Sequence, residues 1–306
     1  MNLTYVQTVN LLLDIAPTVF ETPRFAMKGG TALNLFVQDL PRLSVDIDVV
    51  FINHLADRDT ALEEIAHEIQ RIEAATAEMG YETRSRKVHG GDEVKLDIYS
   101  AEAEVKVEVN FVFRGTVLPV QTRSLSEKTQ ALFSKNIQIP VLSPSELYGS
   151  KLVAAMDRQH PRDLFDVLKM YETHGLTHEI LDCFVIYLAG HNRPVHEVLF
   201  SNPQPMEETF KNDFVGMTAE PIKLVDLLNT QKRLMTELPQ ALTPNHRNFL
   251  LSLVQASPDW SLLPFNHLQD MPAIKWKHKN LNNLKSKNPT KFRLQHEELE
   301  QLLKQQ

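Results

Sequence analysis

The chain has little cysteine and no long apolar run among its 306 residues. Its single cysteine, Cys183, cannot form an internal disulfide, and its mostly apolar neighbours predict a buried, unreactive thiol. No apolar stretch approaches the ~20 residues that a membrane-spanning helix needs. The N-terminal segment lacks the basic start and the cleavage site of a signal peptide. These absences exclude a disulfide-stapled scaffold and predict a cytoplasmic protein with no membrane partner.

Several common catalytic signatures are also missing. The sequence contains no Gly-x-x-x-x-Gly-Lys-Ser/Thr phosphate loop and no Gly-x-Ser-x-Gly nucleophile turn. Its 12 histidines are scattered, without a His-Glu-x-x-His pair or a cysteine partner. We therefore expect neither a P-loop enzyme nor a zinc enzyme.

Composition is that of a globular protein, with 42% hydrophobic and 23% charged residues. The net charge of −7 argues against nucleic-acid binding through the whole surface. Residues 271–296 differ from this average, because they contain seven cations and no acidic residue. We expect a basic surface here, with Lys275, Lys277 and Lys279 as candidate RNA contacts and Trp276 as a stacking surface. The cations are Lys275, Lys277, Lys279, Lys285, Lys287, Lys291 and Arg293.

Hydrophobic periodicity predicts an α+β fold, with a soft domain boundary near residue 140. A mixed β-sheet with flanking helices is expected in residues 1–140, and an α-helical region in residues 141–306. Helices are expected over residues 31–37 and 57–79, and helix starts near Ser143 and Pro161. Strands are expected over residues 45–51, 81–88, 93–99, 105–114 and 116–120. The close succession of strands favours antiparallel neighbours over a doubly wound nucleotide fold.

The most informative pattern is Asp46-x-Asp48 on the predicted strand 45–51. Residues two apart on a strand point to one face, about 6.6 Å apart at ~3.3 Å per residue. Apolar neighbours make this strand largely buried, where two like charges are costly without cations. The pair therefore predicts a site for two metal ions, which commonly lie about 3.5–4 Å apart.

A third carboxylate is expected from a neighbouring strand. On the strand 105–114, valines take one face, while Glu104, Lys106, Glu108 and Asn110 take the other. Glu108 lies in the middle of this strand and is our choice over Glu104. Asp97, on the preceding strand, is the competing candidate.

Two further segments carry candidate phosphate contacts. The Gly29-Gly30 pair at a strand-to-helix turn lets backbone N–H groups approach a phosphate. Lys151 and Arg158 lie seven residues apart and so share one helix face. Pro161 should turn the next helix back and bring Asp163 and Asp166 towards that face. Cations there could hold a triphosphate, with an aspartate fixing the lysine; the alternative is a surface salt-bridge network.

These segments resemble a known family. Lys28-Gly29-Gly30-Thr31-Ala32-Leu33 followed by Arg42-x-Ser44-x-Asp46-x-Asp48 resembles the opening of AbiEii/AbiGii-type toxin nucleotidyltransferases, within the polymerase-β-like superfamily. The segment from Lys151 through Arg158 to Arg162-Asp163-x-Phe165-Asp166 resembles the second signature of that family. The C-terminal stretches 258–260 and 271–281 also look familial, so the match spans nearly the whole chain. Many superfamily members have Gly-Ser at Gly29-Gly30, so a hydroxyl contact with phosphate would have to come from Thr31 or Ser44.

The resemblance implies a metal-dependent nucleotidyltransferase toxin of a toxin–antitoxin or abortive-infection system. It implies an NTP substrate, two Mg²⁺ ions (or Mn²⁺), a separately encoded antitoxin, and a tRNA or other RNA acceptor. In the expected mechanism Asp46, Asp48 and Glu108 hold metal, with Glu108 helping to deprotonate the attacking hydroxyl. Nucleotide contacts are expected from Gly29, Gly30, Thr31, Arg42, Ser44 and Lys151, with Asp163 orienting Lys151. Two alternatives stay open: a protein or small-molecule acceptor, and a non-catalytic NTP-binding regulator.

Overall fold

The computed structural model describes residues 3–87 and 93–306. The chain divides into two compact units. The first comprises Met1–Leu147 together with Met217–Glu220, and the second comprises Tyr148–Gly216 and Pro221–Gln306. No helix of the described residues has the length and apolarity that crossing a membrane requires.

The first unit is built on a seven-stranded mixed sheet with the order β3-β4-β5-β2-β1-β7-β6. The strands are β1 (Phe25–Lys28), β2 (Ile47–Phe51), β3 (Glu82–Lys87), β4 (Glu93–Tyr99), β5 (Glu104–Asn110), β6 (Gln121–Ser124) and β7 (Gln138–Val141). The β2/β5 and β1/β7 pairs are parallel, and the other neighbours are antiparallel. The mixed sheet confirms the predicted α+β class.

Helices pack on this sheet through its alternating apolar residues. They are α1 (Leu3–Val19), the single turn α2 (Gly29–Ala32) continued by a π-helical turn (Leu33–Val37), α3 (Arg58–Glu78) and α4 (Glu127–Phe133). Helices α1 and α3 contact each other and the strands. Val107 and Val109 of β5 are fully buried, whereas Lys106 and Glu108 are only partly buried. This alternation gives the sheet one apolar face and one polar face.

The second unit is helical. Its helices are α6 (Pro161–Thr173), α7 (His178–Ala189), α8 (Val195–Leu199), α9 (Glu207–Asp213), α10 (Leu224–Ala241), α11 (Pro244–Val254), α12 (Pro272–Lys287) and α13 (Pro289–Lys304). Helix α5 (Pro144–Asp157) contains the boundary between the units. Both helix starts predicted from proline are confirmed, at Pro144 and Pro161. The Ser143 hydroxyl accepts the Glu146 N–H at 3.2 Å, as expected of a capping residue.

Some predicted strands were misplaced. Residues 116–120 are not a strand, and the next strand is β6, which begins at Gln121. The buried Glu146 explains this, because its carboxylate accepts the backbone N–H groups of Val117 and Leu118 at 2.8 and 3.0 Å. Those donors are then unavailable to a sheet ladder. Strand β5 also ends at Asn110, not at 114, and residue 88 of the predicted strand 81–88 lies outside the described residues.

Candidate functional site

Four charged residues form a row across four adjacent strands of the first unit. Asp48 lies opposite Lys28 in the β1/β2 pair and beside Glu108 in the β2/β5 pair. Glu108 lies opposite Lys95 of β4, whose ammonium donates to Glu108 Oε1 at 2.5 Å. Residues paired in register present their side chains to the same face of a sheet. The two carboxylates therefore lie side by side, with a lysine position on either side.

Asp46 lies just outside this row. It precedes β2, which begins at Ile47, so the prediction that both aspartates are strand residues is wrong for Asp46. Strand β1 ends at Lys28, the partner of Asp48, so the ladder on that side provides no neighbour for residue 46. Asp46 is half-buried, like Asp48.

The glycine turn that follows β1 packs directly against Asp48. Gly29 has a φ of +78°, a left-handed conformation that residues with a Cβ adopt only with strain. A Cβ added to Gly29 would lie 2.2 Å from Asp48 Oδ2, well inside van der Waals contact. The backbone of this turn can therefore approach the carboxylate only because residue 29 has no side chain.

Gly30 is in close contact with two of the predicted nucleotide-binding residues. A Cβ on Gly30 would lie 2.7 Å from Arg42 Nη2 and 2.9 Å from Ser44 Oγ. Ser44 Oγ also accepts the Thr31 hydroxyl at 3.0 Å. The structure thus brings Gly30, Thr31, Arg42 and Ser44 together, and the Ser44 hydroxyl fills the space that a side chain at position 30 would take.

Asn34 connects the Gly29-Gly30 turn to Arg42. The sequence pattern did not reveal this role of Asn34. The fully buried Asn34 donates from Nδ2 to Gly30 O at 2.8 Å and accepts the Arg42 N–H at Oδ1 at 3.3 Å. Arg42 Nη1 donates to Leu43 O at 2.8 Å. Arg42 is only 3% exposed, so its guanidinium is positioned as part of the protein interior. Burial raises the pKa of the neighbouring Tyr5 to about 12, against the lowering effect of Ser44 and the Arg42 charge.

A distant chain segment completes this arrangement. Leu43 N donates to Met217 O at 2.7 Å, and Ala219 N donates to Pro41 O at 2.8 Å. Arg42 forms a β-bridge with Thr218 between these two bonds. Residues 217–220 therefore belong to the first unit, although the flanking residues belong to the second. Periodicity cannot reveal such a contact, because it joins residues about 175 positions apart by backbone groups alone.

Asp97 occupies a different position from Glu108. It lies on β4, opposite Lys106 of β5 and Arg84 of β3. Its side chain is fully buried and is paired with Arg86. Asp97 is therefore one strand further from Asp48 than Glu108 is, in a different row of the sheet.

The second candidate cluster lies in the second unit. Lys151 Nζ lies 2.9 Å from Asp163 Oδ1 and 3.0 Å from Asp166 Oδ2, which confirms that α6 turns back towards Lys151. Arg158 donates to both oxygens of Asp163, from Nε at 2.5 Å and from Nη2 at 3.0 Å. Burial alone would raise the pKa of Asp163, but Lys151 and Arg158 hold it well below its usual range.

The cluster is a salt-bridge network with a buried centre, although the Arg158 side chain at its edge is 64% exposed. Lys151 is 8% exposed, Asp163 1% and Asp166 0%. Removing one partner of such a buried pair leaves an uncompensated charge, which is strongly destabilising. The cluster fixes the position and charge of Lys151, although its role in nucleotide binding stays a prediction.

The basic C-terminal segment, residues 271–296, is only partly exposed to solvent. Lys277 is 7% exposed, and its ammonium donates to the carbonyl oxygens of His191 and Arg193 at 2.8 and 2.6 Å. Burial lowers the pKa of Lys277 to about 8. Its prediction as an RNA contact is therefore wrong, since its charge is used inside the second unit. Lys275 is exposed and pairs at 3.1 Å with Asp270, the residue that immediately precedes the basic segment 271–296.

The exposed part of that segment keeps an aromatic residue among cations. Trp276 is 53% exposed, and Lys279 Nζ lies 5.6 Å from the centroid of its ring. Lys285, Lys287, Lys291 and Arg293 are exposed as well. This combination of charge and an open ring is compatible with a nucleic-acid contact.

Three potential metal ligands in the second unit were missed by the sequence pattern. His178, Asp182 and His246 offer ligand atoms within 4.8 Å of one another. His246 Nδ1 accepts the Thr243 N–H at 3.3 Å, which leaves the ring proton on Nε2, 2.7 Å from Asp182 Oδ1. A histidine nitrogen that binds a metal needs a free lone pair, and neither His246 nitrogen has one in this arrangement. The hydrogen bond between His246 and Asp182 instead links α11 to α7. Nitrogen donors also suit Mg²⁺ poorly.

A mixed sheet carrying paired carboxylates beside a glycine turn, followed by a helical region, is the arrangement expected of a nucleotidyltransferase-type protein. The solved structure of MenT4, a nucleotidyltransferase toxin from Mycobacterium tuberculosis H37Rv, is similar in fold, with a TM-score of 0.62 and 18% identity. The similarity covers 91% of this chain and 92% of that one. No curated protein sequence matches the chain significantly.

The family is shown by a direct sequence match. The family described as "Nucleotidyl transferase AbiEii toxin, Type IV TA system" matches residues 10–280. The chain therefore belongs to the AbiEii nucleotidyltransferase toxins. The predicted family, fold class and enzyme class are thereby confirmed, and membership implies an NTP substrate and a cognate antitoxin.

Proposed function

We propose that this toxin transfers a nucleotide from an NTP to an RNA acceptor, with tRNA the foremost candidate, in a reaction that depends on divalent metal ions. The observation that carries the proposal is the pairing of Asp48 with Glu108 in the β2/β5 register, next to the Gly29 turn. We expect the reaction to take place in the cytoplasm, where both substrates are abundant.

The residues present fit Mg²⁺ or Mn²⁺. Asp46, Asp48 and Glu108 offer only carboxylate oxygens, the donors that these hard cations prefer. The contact between Gly29 and Asp48 leaves a carboxylate next to backbone that can approach a phosphate. When bound by these three residues, two such ions would supply neutralisation of the triphosphate charge and activation of the attacking hydroxyl.

The side chains have separate tasks in the proposed reaction. Glu108 accepts the proton of the acceptor hydroxyl, whose oxygen forms the new bond to the α-phosphorus. The bond between the α-phosphorus and the bridging oxygen breaks, and pyrophosphate leaves with that oxygen. The backbone of Gly29, Gly30 and Thr31, with the Ser44 hydroxyl, orients the phosphates. Arg42 supports that turn from the interior and adds positive charge.

Glu108 is the better supported third carboxylate. It neighbours Asp48 on the adjacent strand, whereas Asp97 lies on the next strand and in a different row of the sheet. Lys151 of the second unit is proposed to bind the triphosphate, with Asp163 and Asp166 fixing its ammonium. An RNA acceptor is supported by the exposed cations of α12 and α13 and by Trp276.

The test is transfer of label from each α-³²P-labelled NTP to purified total tRNA, with Mg²⁺ or Mn²⁺ present. We expect labelled RNA and release of pyrophosphate with wild type, and neither with Asp48→Ala. Pyrophosphate released without labelled RNA, in the presence of a protein or small-molecule fraction, would indicate the other acceptor class. NTP binding with no pyrophosphate under any condition would support the regulator and refute transfer.

A further inference from the structure

Lys95 lies in the same row as the two paired carboxylates. Its Cα is the register partner of Glu108 across the antiparallel β4/β5 pair, and Glu108 is the register partner of Asp48. Lys95 Nζ lies 2.5 Å from Glu108 Oε1, a charge-assisted hydrogen bond of the short, strong kind. Both side chains are partly shielded, at 29% and 22% exposure, so water screens the pair incompletely.

The ion pair with Lys95 limits the conformations of the Glu108 side chain and offsets its charge. A free glutamate side chain samples several rotamers, and two like charges on adjacent strands repel each other. By engaging Oε1 from the β4 side, Lys95 restricts the rotamer of Glu108 and offsets the negative charge that it shares with Asp48. Neither the family match nor the similarity of fold assigns a role to Lys95.

We propose that Lys95 is a positioning residue that holds the Glu108 carboxylate in its reactive orientation beside Asp48. The proposal rests on the proposed function, because it requires Glu108 to act in the transfer reaction. It has two consequences of opposite sign. Removing the Lys95 charge leaves the carboxylates more negative, so a divalent cation should bind more tightly. Removing the ion pair also frees Glu108 to rotate, so turnover should fall.

Tighter cation binding together with lower turnover distinguishes loss of positioning from a general loss of structure. A structural defect weakens cation binding and turnover together. For Lys95→Met we expect Mn²⁺ to bind about 3–10-fold more tightly, since one nearby positive charge is lost from a partly screened site. We expect kcat to fall about tenfold or more, because small errors in the position of a reacting group carry large rate penalties. The KM for NTP should change by less than about threefold.

The experiment uses the full-length protein. Mn²⁺ affinity is measured without NTP by electron paramagnetic resonance of free Mn²⁺, and kcat and KM by pyrophosphate release. Lys95→Arg is the conservative variant, and its guanidinium should restore at least part of kcat and of the wild-type Mn²⁺ affinity. Lys135→Met is the matched control, since it removes a lysine–carboxylate pair of similar length, 2.6 Å to Asp14 of α1. That control should change neither quantity by more than about twofold.

Glu108→Gln separates the two hypotheses. If Glu108→Gln keeps wild-type kcat, the assignment of Glu108 in the proposed function is wrong. If Glu108→Gln is inactive while Lys95→Met binds Mn²⁺ and turns over like wild type, the role of Lys95 alone is refuted. Tighter Mn²⁺ binding with lower kcat, relieved in Lys95→Arg, supports the proposal, and every other combination in folded Lys95→Met overturns it. Lys95→Gln is measured in the same way should the methionine variant fail to fold.

Discussion

The contact between Gly29 and Asp48 allows a quantitative test of the candidate site through the substitution Gly29→Ala. The substitution meets two separate obstacles. The new alanine would have to adopt a φ of +78°, which costs about 1–2 kcal/mol for a residue with a Cβ. Its Cβ would also lie 2.2 Å from Asp48 Oδ2, so the carboxylate or the turn must move by about 1 Å to reach ordinary contact distance.

Gly80→Ala is the matched control. Gly80 has a similar φ of +89°, but a Cβ there meets nothing within 4 Å. The control therefore carries the backbone strain without the displacement of Asp48. We expect Gly80→Ala to lower Tm by about 2–8 °C, the shift that corresponds to 1–2 kcal/mol in a unit of this size. Its kcat should stay within about twofold of wild type.

Gly29→Ala should lose at least as much Tm and, in addition, lose turnover. A displacement of about 1 Å at a catalytic carboxylate can reduce the rate by about 100-fold. The assay is transfer of labelled nucleotide at saturating NTP, at a temperature where both variants are folded by circular dichroism. If folded Gly29→Ala retains wild-type kcat, Asp48 is not positioned by this turn for catalysis, and the site has been placed wrongly.

Asp48→Ala should abolish transfer and toxicity while Tm stays level or rises, because repulsion from Glu108 is relieved; full activity in the folded variant would contradict the site. Lys151→Ala and Asp163→Ala should each lower Tm, because a buried charge loses its partner, and each lower kcat/KM for NTP at a temperature where the variant is folded. The double variant should be little worse than either, since the two are joined at 2.9 Å; strict additivity would refute their coupling. The double charge reversal of Lys275 and Lys279 to glutamate should weaken tRNA binding and flatten its salt dependence by about 0.7–0.9 per lost contact. An unchanged slope in a salt titration would mean that this surface does not bind RNA, whereas NTP affinity should stay unchanged in either case.

The positions of the glycine turn and the aspartates could be predicted from the sequence, because they depend on residues that are close together in the chain. The turn Gly29-Gly30 and the pair Asp46-x-Asp48 are short patterns, and their proximity follows from the antiparallel pairing of β1 with β2. Glu108 was also predicted on a polar strand face, and its position beside Asp48 follows from the parallel register of β2 and β5. The register itself could not be predicted, because alternation gives the face of a residue but not its neighbour across the ladder.

The failures concern backbone groups and buried polar side chains. Residues 116–120 look like a strand by composition, yet Glu146 takes the N–H groups of Val117 and Leu118. Lys277 was predicted as exposed because lysine is almost never buried unless paired. Its partners are two backbone carbonyls, which no pattern of side chains can indicate.

The return of residues 217–220 to the first unit has a consequence for synthesis of the toxin on the ribosome. Domains generally fold in order as the chain emerges. The sheet and its carboxylates are complete by residue 147, but the segment that holds Leu43 and Arg42 in place is translated about 70 residues later. A nascent or truncated chain that stops before Met217 therefore has its acidic residues, but lacks the backbone partner of residues 41–43. We expect such a chain to be non-toxic, so that synthesis itself delays activity until the second unit is well advanced.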